Sequence, residues 1–192
     1  MSRFFDEFKK ERIILLNKPI DNNSSEEVVG QLLLFNSIND KPIHLYLSSP
    51  GGCVYSGLKI IDMINMINAP VYVFCTGLVA SMGVIIAVSG CRGHRYASQH
   101  CTFMIHQPSS ILDSKFAFSD LNIHLKETGR LKEIIESIMS RNTGRNKYEV
   151  ERDTDRDFYM NATEALSYGI IDKVIEKNTS KNKINEIHYE QI

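Results

Sequence analysis

Apolar positions recur along the chain in two alternating rhythms. Arg12–Leu16 reads as a short strand. Ser24-Ser25-Glu26-Glu27 has the form of a capping box opening a helix through Gln31–Ile38. Ile43–Leu47 reads as a strand that ends in Ser48-Ser49-Pro50-Gly51-Gly52. Val54–Ile67 carries Leu58, Ile61, Ile64 and Ile67 at helical spacing. Pro70 introduces a strand, Val71–Cys75, which Gly77 is predicted to end, and Val79–Val88 reads as a small buried helix. Tyr96 and Cys101–His106 mark further strands. Ser114–Arg141 predicts a long amphipathic helix with Leu121, Leu125, Leu131, Ile134, Ile135 and Ile138 near one stripe. Ala162–Tyr168 reads as a short helix, and Gly169 leads into a last strand, Ile170–Ile175. The β–α–β–α order predicts an α/β domain with a mostly parallel sheet flanked by helices. One domain over residues 1–192 is expected, with a polar tail from about Asn178.

Composition narrows the function classes. The 192 residues are 43% apolar and 23% charged, with a formal net charge of −1. That balance argues against nucleic acid or an anionic membrane as partner. No apolar run reaches membrane-span length, and the first residues lack a signal-peptide layout. A cytosol-like compartment is expected. Cys53, Cys75, Cys91 and Cys101 form no CxxC pair and do not combine with histidines at metal-ligand spacing. Reduced and mostly buried thiols are expected.

Four segments hold residues with chemical potential. In Cys75–Gly83 a strand ends, the chain turns at Gly77, and Ser81 falls near the start of an apolar helix. Free N–H groups there favour developing negative charge, and the N–H of Met82 can point at an oxyanion. A plain helix cap explains Ser81 equally simply. It is not a Gly-x-Ser-x-Gly elbow, since Val79 holds the first glycine's place. Gly51-Gly52 allows close backbone approach or φ > 0 and could supply a second oxyanion donor, though an ordinary βα turn would look the same. His106 ends an apolar strand and can take a proton from a serine; His94, His100 and His124 compete for that role. Glu151–Asp157 offers Asp153, Asp155 and Asp157 as a carboxylate to orient an imidazole, and a solvated charge run reads alike.

Together these segments resemble one family from Arg12 to about Ile175, the proteolytic subunit of the Clp (caseinolytic) protease. The shared motifs are SPGG at Ser49–Gly52, ASMG at Ala80–Gly83, MIHQP at Met104–Pro108 and ERDTDRDFYMNATEALSYGIID at Glu151–Asp172. The resemblance implies a crotonase-like β/α superhelix and a serine endopeptidase that works through an acyl-enzyme. It implies Ser81 as nucleophile, His106 as general base and Asp157 as triad acid, with the backbone N–H groups of Gly52 and Met82 as the oxyanion hole. Arg156 matches a ring-to-ring contact, and the helix predicted over 114–141 matches the handle that interleaves with the opposite ring. Two stacked seven-membered rings, an AAA+ unfoldase as partner and unfolded polypeptides as substrate follow from the same resemblance. No metal or organic cofactor is implied, and the chain has no phosphate-binding loop, so ATP chemistry falls to the partner.

The chain departs from the family pattern at three places. Ser109-Ser110-Ile111-Leu112 replaces the glycine-rich strand that pairs with substrate. Only three residues precede the segment matching Phe4–Arg12, where an axial loop is expected. The unfoldase cleft, usually apolar, keeps Tyr46, Met66 and Phe74 but gains His44, Thr76 and Ser98. The last two departures predict a subunit that docks an unfoldase poorly and works best beside a second peptidase paralogue. The rival readings are a structural ring subunit and a crotonase-type acyl-CoA hydratase or isomerase.

Overall fold

The computed structural model describes residues 7–108 and 118–176. Seven strands form one sheet: β1 (Ile13–Leu16), β2 (Ile43–Ser49), β3 (Val71–Ala80), β4 (Arg95–Ser98), β5 (Thr102–Ile105), β6 (Phe158–Asn161) and β7 (Lys173–Ile175). The main path runs β1-β2-β3-β4-β7, all parallel, while β5 pairs with β3 and with β6. The β5–β6 pair is antiparallel, so the sheet is mixed rather than purely parallel. The helices are α1 (Asn22–Ile38), α2 (Val54–Met66), α3 (Met82–Val88), α4 (Phe118–Thr143), α5 (Lys147–Thr154) and α6 (Ala162–Tyr168).

β3 is the hinge of this layout. Its first half pairs with β4 through Val73, Phe74 and Cys75, and its second half with β5 through Leu78, Val79 and Ala80. The sequence predicts an end at Gly77, but the strand passes through it at φ +61 and runs to Ala80. Continuation is possible because the backbone beyond Gly77 finds partners on both sides: β5 on one, and Ser49 of β2, after a register shift, on the other. The next helix therefore begins at Met82, three residues later than the expected Val79.

Other boundaries shift for equally local reasons. The cap of α1 is Asp21, not the serine pair: its side chain accepts from the Ser24 N–H, and the Ser24 hydroxyl accepts from the Asp21 N–H. Ile170 and Ile171 are buried but precede the last strand, which starts at Lys173. Helix α5 and strand β6 occupy a stretch whose pattern suggests only a charge run and its sequel. α5 is opened by an Asn146–Glu149 capping box, and β6 forms because β5 offers a free edge.

The core lies on one face of the sheet. β2 alternates strictly, with Ile43, Leu45, Leu47 and Ser49 buried and His44, Tyr46 and Ser48 half-buried. Ile14, Leu16, Val28, Leu32 and Phe35 join those leucines in a cluster that extends through α3 to Ile135 and Met139 of α4. The predicted stripe on α4 is only partly used: Leu131 and Ile135 are buried, Leu121, Ile134 and Ile138 are half-buried and Leu125 is exposed, while Met139, outside the stripe, is fully buried. The start of that helix as predicted, residues 114–117, lies outside the described residues, as do Ser109–Leu112 and the tail from Asn178.

Candidate active site

Ser81 sits between β3 and α3 with φ 54 and ψ −124. A non-glycine residue in that region carries about 1–3 kcal/mol of strain and persists only where its surroundings fix it. Here the Ser81 N–H donates to the Met104 carbonyl at 2.7 Å, and the Val84 N–H donates to the Ser81 carbonyl at 2.9 Å. The serine is thus held out of both the strand and the helix, and no side-chain capping bond is made. The helix-cap reading of Ser81 does not describe it.

The two glycines after β2 close in on this turn. Gly51 has φ +91, and a Cβ there would fall 2.6 Å from the Ser81 Cβ and 2.7 Å from the Ala80 carbonyl oxygen. Gly52 has φ +147 and lies against the Ile20 backbone, where a Cβ would collide. It forms an isolated parallel bridge with Ile20: the Ile20 N–H donates to the Gly51 carbonyl at 2.8 Å, and the Cys53 N–H donates to the Ile20 carbonyl at 2.7 Å. That pattern uses the neighbours' groups and leaves the N–H of Gly52 outside the bridge.

His106 follows β5 directly, and its Nε2 lies 2.8 Å from the Ser81 Oγ. The other three candidate histidines are placed elsewhere. His94 stacks on Tyr72 with ring centroids 3.8 Å apart, and its Nδ1 lies 3.1 Å from the Tyr96 hydroxyl. His100 is exposed in a turn, and His124 is exposed on α4. The antiparallel register pairs Ile105 with Phe158, so one step further along the ladder His106 faces Asp157. The Nδ1 of His106 lies 3.6 Å from the Asp157 Oδ1, with the two side chains 26% and 60% exposed. That distance is ion-pair reach but longer than a hydrogen bond. Asp153 instead pairs with Arg152 and accepts from the Tyr168 hydroxyl at 3.3 Å, while Asp155 faces Gln107. Arg156, between Asp155 and Asp157, is 93% exposed.

A small cleft opens in front of Ser81. Val54, Met82, Ile85, Ile105, Pro108 and Ile135 give it apolar walls, with His106 and Thr154 at the polar side. Ile135 and Thr154 reach the cleft from α4 and α5; Thr154 lies within the Glu151–Asp172 motif and Ile135 in the predicted apolar stripe, but neither is assigned to the site by the sequence. Among the described residues, no group of three or more His, Cys, Asp or Glu side chains could hold a metal, and no helix is long and apolar enough to cross a membrane.

The sheet face away from the core carries an aromatic ladder. His44 stacks on Phe74 at 5.7 Å, Tyr46 on Phe74 at 4.8 Å and Phe74 on Tyr96 at 5.0 Å. The expected cleft residues His44, Tyr46 and Phe74 are therefore neighbours. Tyr72, His94 and Tyr96 join them, and the sequence reading misses all three. Met66, Thr76 and Ser98 are not part of this stack: Met66 and Thr76 are exposed and Ser98 is half-buried.

The cysteines divide two and two rather than being mostly buried: Cys75 and Cys101 are buried, Cys91 is intermediate and Cys53 is exposed. Burial raises the Cys75 thiol well above its usual range and pushes that of Cys101 up to about 12. Cys53 is lowered, first by a hydrogen bond from the Ser56 hydroxyl and then by the Ser56 N–H. Iodoacetamide at neutral pH is expected to alkylate Cys53 first and to spare Cys75 and Cys101 while the protein is folded. Peptide mapping that finds Cys75 modified as fast as Cys53 would show that β3 opens readily.

The Clp protease family model matches residues 1–178 of this chain. The match runs through all four motifs and every strand and helix described above, and a peptidase role comes with it. The chain belongs to the Clp protease family.

Proposed function

We propose that this chain is a serine endopeptidase subunit that cleaves unfolded polypeptides through an acyl-enzyme. The observation that carries the reading is the 2.8 Å approach of the His106 Nε2 to the Oγ of a serine held in a strained turn. In the first step Ser81 Oγ attacks the scissile carbonyl and His106 Nε2 takes the hydroxyl proton. The carbonyl oxygen becomes an oxyanion facing the N–H groups of Gly52 and Met82. His106 then returns the proton to the leaving amine, and water attacks the acyl-serine by the same route in reverse. Asp157 is the acid that holds the imidazole tautomer. Catalytic hydrogen bonds are often long before substrate binds, and its 3.6 Å gap to His106 closes in the working complex.

The same reading places the chain in two stacked seven-membered rings fed by an AAA+ unfoldase, in the cytoplasm or a plastid stroma. Arg156, almost fully exposed beside the acid, supports a ring contact at that turn. The exposed Ile123 and Leu125 on α4 support a handle that a neighbouring subunit covers. A second reading, a subunit that works fully only beside a paralogue, is favoured by the polar members His44 and His94 of the aromatic ladder. An apolar docking segment meets these groups at a desolvation cost.

A fluorophosphonate probe tests the central claim. It is expected to label Ser81 in the wild-type protein and to leave Ser81→Ala unlabelled. Equal labelling of both proteins would remove Ser81 from the chemistry.

A further inference from the structure

The acid of the site stands on an exposed turn. Residues 155–157 join the end of α5 to β6, and the Asp155, Arg156 and Asp157 side chains are 70%, 93% and 60% exposed. A carboxylate on such a turn is poorly placed to hold an imidazole unless something fixes the turn.

The β5–β6 ladder supplies one anchor and then fails to supply the next. Thr102 pairs with Asn161, and the pairing proceeds in register to Ile105 and Phe158. In-register continuation would set Gln107 opposite Arg156. The Gln107 N–H donates instead to the Thr154 carbonyl at 2.6 Å, two residues further back. The acid-bearing strand therefore holds two surplus residues between these anchors, and such irregularities re-aim side chains. The Gln107 side chain occupies the gap. Its Nε2 donates to the Asp155 carbonyl at 2.9 Å and lies 3.4 Å from the Asp155 Oδ1. Among the described residues, two tertiary polar contacts reach residues 155–157: this amide on Asp155, and His106 on Asp157.

We infer that Gln107 is a positioning residue that orients the 155–157 turn, and through it sets the distance from Asp157 to His106. This rests on the serine-peptidase reading above. Fastening α5 to β5 is already done by the Gln107 main chain on Thr154. The side chain adds the orientation of the Asp155–Arg156 peptide plane, from which the Asp157 backbone departs. Its role is thus separable from that of a structural tie.

The test is a double-mutant cycle on the assembled protein, reading kcat and KM for a fluorogenic peptide and the rate of fluorophosphonate labelling. Gln107→Met keeps length and volume but removes the donor. It is expected to lower kcat and the labelling rate about 10–100-fold with KM unchanged, because a misplacement near 1 Å at a catalytic group costs about that much. In an Asp157→Asn background the same change is expected to cost less than about twofold, since the group it orients is already disabled. Gln107→Asn, with its amide one methylene short, is the second variant and is expected to show the same pattern. Full activity of Gln107→Met, or equal losses in the wild-type and Asp157→Asn backgrounds, overturns the inference. A wild-type protein that does not label at Ser81 overturns the reading beneath it, and is recognised before any Gln107 variant is made.

Discussion

Replacing Ser81 with alanine is expected to lower kcat for peptide hydrolysis by a factor on the order of 10⁶, the scale seen when a triad nucleophile is removed. The mechanism proposed here routes bond formation through one oxygen, the Oγ that lies 2.8 Å from His106. The turn should survive the change, because Ser81 is held by its backbone and makes no side-chain cap. Alanine carries the same positive-φ strain as serine. Asp157→Asn is expected to cost about 10⁴ through loss of the imidazole tautomer. Asp155→Asn should cost far less, because Gln107 grips Asp155 chiefly by its backbone carbonyl. Steady-state kinetics on the three variants, with circular dichroism to confirm folding, decides this. Equal losses for the two aspartates would mean that the exposed turn matters as a whole and that no single carboxylate is the acid.

The second large effect is on stability. Asp172→Asn is expected to destabilise the protein by about 3–5 kcal/mol, the range for breaking a buried ion pair and stranding the remaining charge. The Arg95 side chain is 4% exposed, and its Nη2 lies 2.6 Å from the Asp172 Oδ1. Arg95 Nε donates to the Asp172 Oδ2 at 2.9 Å, and the backbone N–H groups of Gly93 and Arg95 donate to the same oxygen at 2.8 and 3.0 Å. The remaining Arg95 Nη1 donates to the Asn142 carbonyl near the end of α4, so one pair joins β4, the start of β7 and α4. Burial alone would raise the Asp172 carboxyl, but the Arg95 hydrogen bonds outweigh it and leave the group below its ordinary value. A carboxyl depressed in the folded state contributes stability above its unfolded pKa of about 3.9 and loses it as pH falls through the folded value. The gap in urea midpoint between wild type and Asp172→Asn should be full at neutral pH and shrink in acid below that point. Replacing both partners together, as Arg95→Met with Asp172→Leu, is expected to cost much less than Asp172→Asn alone. A midpoint shift that does not change with pH would show that Asp172 acts through packing and not through its charge.

Much of this molecule is legible along the chain because it depends on neighbours in sequence. Period-two alternation in Ile43–Leu47 and helical spacing over Val54–Ile67 locate β2 and α2 almost to the residue, since each pattern reflects one buried face. Ala162–Tyr168 matches α6, whose ends carry their own signals: an Asn161–Glu164 capping box and Gly169 at φ 92. The motifs likewise name the chemically able residues, Ser81, His106 and the aspartates of Glu151–Asp157. Pattern by itself leaves four histidines and three aspartates open, because it records which side chains exist and not which meet.

What only the tertiary structure decided is pairing across distance. The fork in β3 carries the chain past Gly77, because β5 and Ser49 satisfy a backbone that no local rule could satisfy. The antiparallel β5–β6 register, set by contacts more than fifty residues apart in sequence, brings Asp157 to His106 and turns Asp153 and Asp155 elsewhere. His94 is drawn into an aromatic stack for the same reason: its stacking partner on β3 is unrelated to it in sequence spacing. The partly used stripe of α4 shows the converse. Its periodicity predicts an apolar face, but which turns of that face find a partner depends on where the core ends. Local propensity and patterning select the elements; register and burial, which are properties of pairs, select the site.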